Sequence, residues 1–308
     1  MDEQLKAQLS RLAAGPVRWD CPLGEYTSFG IGGEAEALVV VESVGELANL
    51  LQFFADNAVE HRFIGKGSNL LVSDRGFAGV ILLFGTGLSR ITFLGESPSG
   101  EVRIRAEAGC SLGRLLNHCT TEGYAGLEFA SGIPGSLGGA VVMNAGARGG
   151  EMGDVIDSLT TFTLNSGEET LERGELDFEY RSWRNQQVGD DNRLVISADI
   201  RLTRGERGEI VARCREYLEK RKATQPKIEK NAGSFFKNPP EDSAGRLIEA
   251  AGLKGERCGG AMVSPVHANF LVNTGEATAD DVKRLMGMVV SQVRKDSGVT
   301  LKPEVHFL

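Results

Sequence analysis

Val44, Leu47, Leu50, Leu51 and Phe54 recur at helical spacing behind Ser43, which predicts a serine-capped helix. Leu112, Leu115 and Leu116 behind Ser111 predict a second, and residues 3–14 read as another. Short apolar runs near 38–41, 61–64, 70–72, 79–83, 90–94, 101–106, 155–164 and 194–203 read as strands. At Gly205-Glu206-Arg207-Gly208 the composition shifts, and a long polar helix runs to about Thr224, where Gln225-Pro226 stops it. Helices near 243–251 and 279–296 follow, and two short apolar pieces flank Lys302-Pro303-Glu304. The strands do not alternate regularly with helices. That order predicts an α+β arrangement rather than a doubly wound parallel sheet.

A chain of 308 residues suggests two domains or three small ones, with a boundary at the 205–208 shift. With 41% hydrophobic and 25% charged residues, the composition is that of an ordinary globular protein and argues against disorder. A net charge of −8 disfavours broad binding to nucleic acid or to an anionic membrane, although Arg and Lys gathered at 213–230 could serve an anionic small substrate. The five cysteines form no C-x-x-C pair and read as reduced, mostly buried thiols of a cytoplasmic protein. His61, His118, His267 and His306 lack ligand spacing, so no metal site is expected. Met1 to Leu12 lacks the apolar stretch of a signal peptide, and no apolar run is long enough to span a membrane.

Glycine changes the picture most. The 40 glycines gather at 24–33, 65–87, 123–153 and 252–260. Residues 130–146 read Ala-Ser-Gly-Ile-Pro-Gly-Ser-Leu-Gly-Gly-Ala-Val-Val-Met-Asn-Ala-Gly. Such a segment lets backbone N–H groups approach something bulky, while Leu137, Ala140, Val141, Val142 and Met143 bury one side. It fits a flat, phosphate-bearing cofactor, and it also fits a structural turn. Ile64-Gly65-Lys66-Gly67-Ser68-Asn69-Leu70 leaves a strand and forms a plausible anion nest, or a simple strand-end turn. Neither loop is a Rossmann fingerprint or a Walker A sequence, so a dinucleotide would be held by another fold. Further along, Arg181 follows Tyr180 and suits a carboxylate clamp. Arg221, Lys222, Gln225 and Lys227 lead into Asn231-Ala232-Gly233-Ser234-Phe235-Phe236-Lys237-Asn238-Pro239, where a diphosphate site is conceivable. His267 lies among apolar neighbours as a core histidine or a ligand group, and Glu304 matters only if the tail returns to a cleft.

Taken in order, Gly65–Val72, Ala130–Gly146, Tyr180-Arg181, Gly233–Pro239, His267–Asn273 and Pro303-Glu304-Val305 resemble the UDP-N-acetylenolpyruvoylglucosamine reductase (MurB) family, from about residue 22 to the C-terminus. The gap between Arg181 and Ser234 matches the shorter subtype, which lacks an inserted loop with its tyrosine. The resemblance implies an FAD-binding fold of the vanillyl-alcohol oxidase type. Two α+β subdomains (1–72 and 73–205) would hold the cofactor. A C-terminal α+β substrate domain (206–298) and a tail (299–308) returning to the active site would complete the chain. It further implies that NADPH reduces bound FAD, which then reduces the enolpyruvyl ether of UDP-N-acetylglucosamine to UDP-N-acetylmuramate for peptidoglycan synthesis. By resemblance, FAD is noncovalent and lies against Gly65, Lys66, Gly67, Ser68, Asn69, Leu70, Ala130, Ser131, Gly132, Ile133, Pro134, Gly135, Gly138, Gly139, Asn144, Ala145 and Gly146. Arg181 and Glu304 would stabilise charge, Ser234 would deliver a proton, and Lys222, Gln225, Lys237, Asn238 and His267 would meet the substrate. Glu304 donates a hydrogen bond only if protonated. No metal, nucleic acid, membrane or obligate protein partner is implied. One departure is that serine follows Arg181 directly, one place earlier than in many members. An oxygen-using oxidase of small alcohols or lactones and a nucleotide-sugar-binding protein without redox chemistry are the competing readings. A yellow purified protein would exclude the second, and recolouring of the reduced protein only by the enolpyruvyl substrate would exclude the first.

Overall fold

In a computed structural model, which describes residues 1–147, 149–188, 191–226 and 230–308, the capping serines close their helices. The Ser43 hydroxyl accepts the Glu46 N–H at the start of α2 (Val44–Asp56), after a first helix α1 (Glu3–Leu12). Leu47, Leu50, Leu51 and Phe54 are buried on one face, as their spacing requires. Ser111 caps α3 (Leu112–Glu122), which ends on Gly123 in the left-handed region at φ 72°. The chain forms two compact units. The first contains Met1–Arg18, Leu38–Gly65 and Val80–Lys220, and the second contains Trp19–Ala37, Lys66–Gly79 and Arg221–Leu308.

The first unit is built on an antiparallel sheet in the order Gly167–Glu172, Ile156–Thr163, Leu194–Arg204, Glu101–Glu107 and Ile91–Glu96, with Tyr124–Ala125 paired to the central strand. The central strand buries Val195, Ala198, Ile200 and Leu202 in one core with Val102, Ile104, Leu115 and Leu159. The edge strand Gly167–Glu172 escapes a reading of apolar runs because four of its six residues are polar or charged. Two short helices lie in the glycine-rich region, α4 (Leu137–Val142) and α5 (Met152–Val155). Gly138 and Gly139 are poor helix formers and hide α4 in the sequence. The long polar helix is α6 (Arg207–Thr224), on which Ile210 is the one fully buried residue among those described. It is held instead by polar contacts such as Arg213 Nη1 to the buried Glu128 at 3.4 Å.

The second unit contains a sheet in the order Lys230–Asn231, Leu271–Asn273, Ala261–Val263 and Arg257–Cys258. Two helices pack with it, α7 (Ala244–Ala250) and α8 (Ala279–Ser297). Helix α8 buries Val282, Leu285, Val289 and Val293 at helical spacing. Its N-terminus is closed by the Thr278–Asp281 capping box and by the Asp74 carboxylate, which accepts the Ala279 and Asp280 N–H groups at 2.7 and 2.9 Å. The tail returns as a short strand, His306–Phe307, parallel to Leu70–Leu71. All five cysteines are free thiols, with Cys21, Cys110 and Cys119 buried and Cys214 and Cys258 half-buried. Burial pushes the Cys119 thiol up to about 12. Among the described residues, no group of three or more His, Cys, Asp or Glu could hold a metal, and no helix is long and apolar enough to cross a membrane.

Candidate active site

The 130–146 segment of the first unit is tight on one side. A turn at Glu128–Ala130 leads to Ser131, whose hydroxyl donates to the Glu128 carbonyl at 2.7 Å. Gly132 (φ 74°) and Gly135 (φ 143°) take conformations that side chains resist. Ser136 caps α4, and a Cβ on Gly138 would lie 3.0 Å from Ala108 Cβ, a contact tighter than side chains usually make, so the bare position favours close packing there. A Cβ on Gly65 would reach the Ser136 hydroxyl at 2.6 Å, so the start of the first glycine loop rests on the second. On the other side, the N–H groups of Gly132, Gly135 and Ser136 donate to no protein acceptor among the described residues. Packed main chain on one side and free amides on the other fit a phosphate-bearing group.

The same segment leads to Arg181. Phe178–Glu179 and Ser182–Trp183 pair as a hairpin whose two-residue loop is Tyr180-Arg181. Arg181 has φ 57°, a left-handed position that glycine or asparagine usually fills. Its guanidinium lies 5.0 Å from the Tyr180 ring centroid, and Nη2 donates to the Gly146 carbonyl at 3.2 Å. Asn144, fully buried at φ 40°, donates from Nδ2 to Glu151 Oε1 at 2.8 Å and to the Glu179 carbonyl at 3.0 Å. Its Oδ1 accepts the Gly153 N–H at 2.8 Å. The side chain read as a cofactor contact is therefore spent on protein partners.

In the second unit, Gly67 has φ 60°, and a Cβ there would run into the Tyr26 carbonyl. Its own carbonyl accepts the Ser28 N–H at 3.1 Å. Asn69 Nδ2 donates to the Glu304 carbonyl at 3.1 Å, and the His306 N–H donates to the Asn69 carbonyl at 3.0 Å. The tail is thereby tied to the first glycine loop on both sides of Val305. Ser234 follows Gly233 (φ 78°) and precedes Phe235 and Phe236, both fully buried with ring centroids 5.2 Å apart. The Glu304 N–H donates to the Phe235 carbonyl at 2.8 Å, and Lys237 N–H to the Lys302 carbonyl at 2.9 Å. Ser234 and Glu304, 70 positions apart in sequence, thus lie on bonded neighbouring segments, both half-buried.

Sequence reasoning missed Asn269. It is buried, donates from Nδ2 to the Phe236 carbonyl at 2.8 Å, and accepts the Phe236 N–H on Oδ1 at 2.9 Å. Its carbonyl takes the Phe235 N–H at 2.8 Å. The available signal was an asparagine inside the apolar run Ala268–Val272, where an amide survives only if paired. The remaining expected substrate contacts are scattered in role. Lys222 is exposed in the last turn of α6, Gln225 closes it through N–H to the Arg221 carbonyl, and Lys227 lies outside the described residues. Lys237 is half-buried, and exposed Asn238 accepts the Ala244 N–H at 3.0 Å. His267 Nδ1 accepts the Asn269 N–H at 3.2 Å, and burial, with help from Lys254, pushes its pKa below the usual histidine value.

Known proteins resemble this chain over most of its length. Residues 225–308 match the model of the UDP-N-acetylenolpyruvoylglucosamine reductase C-terminal domain, and residues 35–171 match that of an FAD binding domain. A protein of Syntrophus aciditrophicus (strain SB) named UDP-N-acetylenolpyruvoylglucosamine reductase is 43% identical over 304 residues, covering 99% of this chain and 96% of that one. A second, from Symbiobacterium thermophilum, is 44% identical over 95% of this chain and 92% of its own. The crystal structure of the Thermus caldophilus enzyme (MurB) superposes with TM-score 0.77 at 35% identity, covering 95% of this chain and 98% of that one. A VAO-type flavoprotein of Myceliophthora thermophila shares the fold alone, with TM-score 0.50 at 11% identity, over 98% of this chain and 63% of that one. The glycine cradle, the FAD-domain match and the mixed sheet-and-helix fold define a flavin-dependent oxidoreductase of the vanillyl-alcohol oxidase fold type. More narrowly, the chain belongs to the UDP-N-acetylenolpyruvoylglucosamine reductase family and reduces the enolpyruvyl ether of UDP-N-acetylglucosamine for peptidoglycan synthesis.

Proposed function

We propose that the chain carries out this reduction with NADPH as reductant, and that Arg181, Ser234 and Glu304 are its catalytic residues. The residues of the loops 65–70 and 130–146 would hold FAD, which when reduced by NADPH would supply the hydride for the methylene carbon of the enol ether. The protein's part is to manage the charge and the proton. Hydride addition builds a second negative charge on the substrate carboxylate, which becomes an enolate dianion, so fixed donors and positive charge lower the barrier. Arg181 supplies a permanently charged, bidentate donor, and Glu304, when protonated, a second one. Ser234 gives its hydroxyl proton to the adjacent carbon. An alcohol is a weak acid, but an enolate is a strong base, so the transfer runs downhill.

What supports this reading is the main-chain bond from the Glu304 N–H to the Phe235 carbonyl, which joins the segments that carry Ser234 and Glu304 from distant sequence. Lys222, Gln225, Lys237 and Asn238 form the cationic and amide-bearing approach for the diphosphate and sugar, while His267, neutral and bonded to Asn269, is the weakest candidate for a substrate contact. Five free thiols support a reducing, cytoplasmic setting. Anaerobic stopped-flow measurement of the two half-reactions tests the roles. Ser234→Ala should leave flavin bleaching by NADPH near normal and slow reoxidation by the enolpyruvyl substrate about 10²–10⁴-fold. Equal loss in both halves would exclude the proton-donor role.

A further inference from the structure

Asn144 makes three side-chain hydrogen bonds, and one of them reaches the residue that opens the Arg181 loop. Glu179 is the last paired residue before Tyr180-Arg181, and its carbonyl is the acceptor. Two residues further along the same glycine-rich segment, the Gly146 carbonyl takes the Arg181 guanidinium itself. The segment thus grips the hairpin twice, once by its backbone and once by the side chain it carries. The other two bonds lock Asn144. Glu151 and Gly153 occupy its remaining donor and its acceptor, which sets the amide orientation, and full burial removes water as a competitor. The left-handed backbone at 144 is one that asparagine tolerates and most residues do not.

We infer that Asn144 is a positioning residue for substrate reduction, acting through Arg181 rather than through the flavin. This rests on the reading of Arg181 given above. A loop of two residues with a left-handed arginine at its second position is strained. Left alone, it would relax, and the guanidinium would leave the place where negative charge develops. Asn144 prevents this by holding the strand end from which the loop springs. The glycine-rich segment therefore has two jobs, cradling phosphate with its first half and aiming a cation with its last three residues.

The test uses the holoenzyme and the variants Asn144→Gly, Arg181→Asn and their combination. Glycine at 144 keeps the left-handed backbone without strain and removes only the side chain. Asn144→Gly should slow substrate reduction about 10–100-fold, with NADPH reduction of the bound flavin within about twofold of normal. In the Arg181→Asn background, Asn144→Gly should cost no more than about twofold further, because the residue it serves is gone. Native-state hydrogen exchange should quicken at the amides of 178–183 and stay unchanged in the paired strands 101–107 and 197–203. Gly153→Ala is an independent probe. Its Cβ would lie 2.9 Å from Phe178 Cβ and 3.2 Å from Asn144 Oδ1, so it disturbs the same grip with Asn144 still present, and the same split between half-reactions is expected. Additive losses in the double variant, equal losses in both half-reactions, or unchanged exchange in the hairpin would each overturn the inference. If Arg181→Asn itself leaves substrate reduction intact, the reading of Arg181 fails instead, and hairpin exchange in Asn144→Gly still judges the grip.

Discussion

Arg181 and the Ser234–Glu304 pair are held in opposite ways. Arg181 stands in a two-residue loop in a left-handed conformation, and its supports come from within about 40 residues, Asn144 and Gly146 above all. Ser234 and Glu304 are free of left-handed backbone, and their supports are woven from Asn69, Asn269 and the tail, across separations of up to 235 residues. The first region concentrates its cost in one strained residue and one amide. The second spreads it over many main-chain bonds. A strained, locally braced group should be easy to misaim without unfolding anything, whereas a woven one should fail together with the stability of its unit.

The largest expected effect is at Glu304. Glu304→Gln keeps the main-chain weave and FAD content, and should lower substrate reduction about 10³-fold in single-turnover measurements with NADPH-reduced enzyme. A rate near that of the parent would remove Glu304 from the charge-stabilising role. Asn269→Ala attacks the weave itself. It leaves a buried N–H and carbonyl of Phe236 unpaired, at about 2–4 kcal/mol, so urea unfolding should show a clear fall in midpoint along with slower substrate reduction. Loss of rate with unchanged stability would contradict the contrast between the two regions. Arg181→Asn should do the reverse. Asparagine suits φ 57°, so thermal stability should hold or rise slightly, by about 1 kcal/mol at most, while substrate reduction collapses. The smallest effect is that of pH on His267. Burial lowers its pKa in the folded chain, so the unfolded chain binds a proton that the folded one refuses. Its contribution is fully present above the unfolded value of about 6.5 and is lost as pH falls below it. Protonation would also remove the acceptor for the Asn269 N–H. His267→Gln should flatten the fall of stability as pH drops below about 6.5, and an unchanged slope would show that His267 does not report on the weave.

Much of this is legible in the sequence. Periodic helices with serine caps announced themselves because the apolar stripe and the cap agree, as at Ser43 and Ser111. Glycine loops were visible by composition, and the polar helix by its charge. Three things were not. The edge strand Gly167–Glu172 pairs by backbone and carries few apolar side chains to mark it. Helix α4 is spelled with two glycines that argue against a helix, and its place is set by close packing at Gly138. Asn144 read as one more residue of a cofactor loop, because the pattern records that an amide is present but not where it points. Asn269 was overlooked for the complementary reason. It mimics a strand partner for Phe236, a role that exists only once residues 33 apart have met.

The thiols offer a way to watch the molecule work. Three of them are sealed inside, and the Cys119 sulfur is held as a thiol to about pH 12. The two that remain partly open, Cys214 and Cys258, fall in different units. A maleimide dye pair would therefore settle on one site in each without any engineered cysteine, Cys214 reacting more slowly because burial raises its pKa. Energy transfer between them would report any change in their separation during turnover, read on the native sequence.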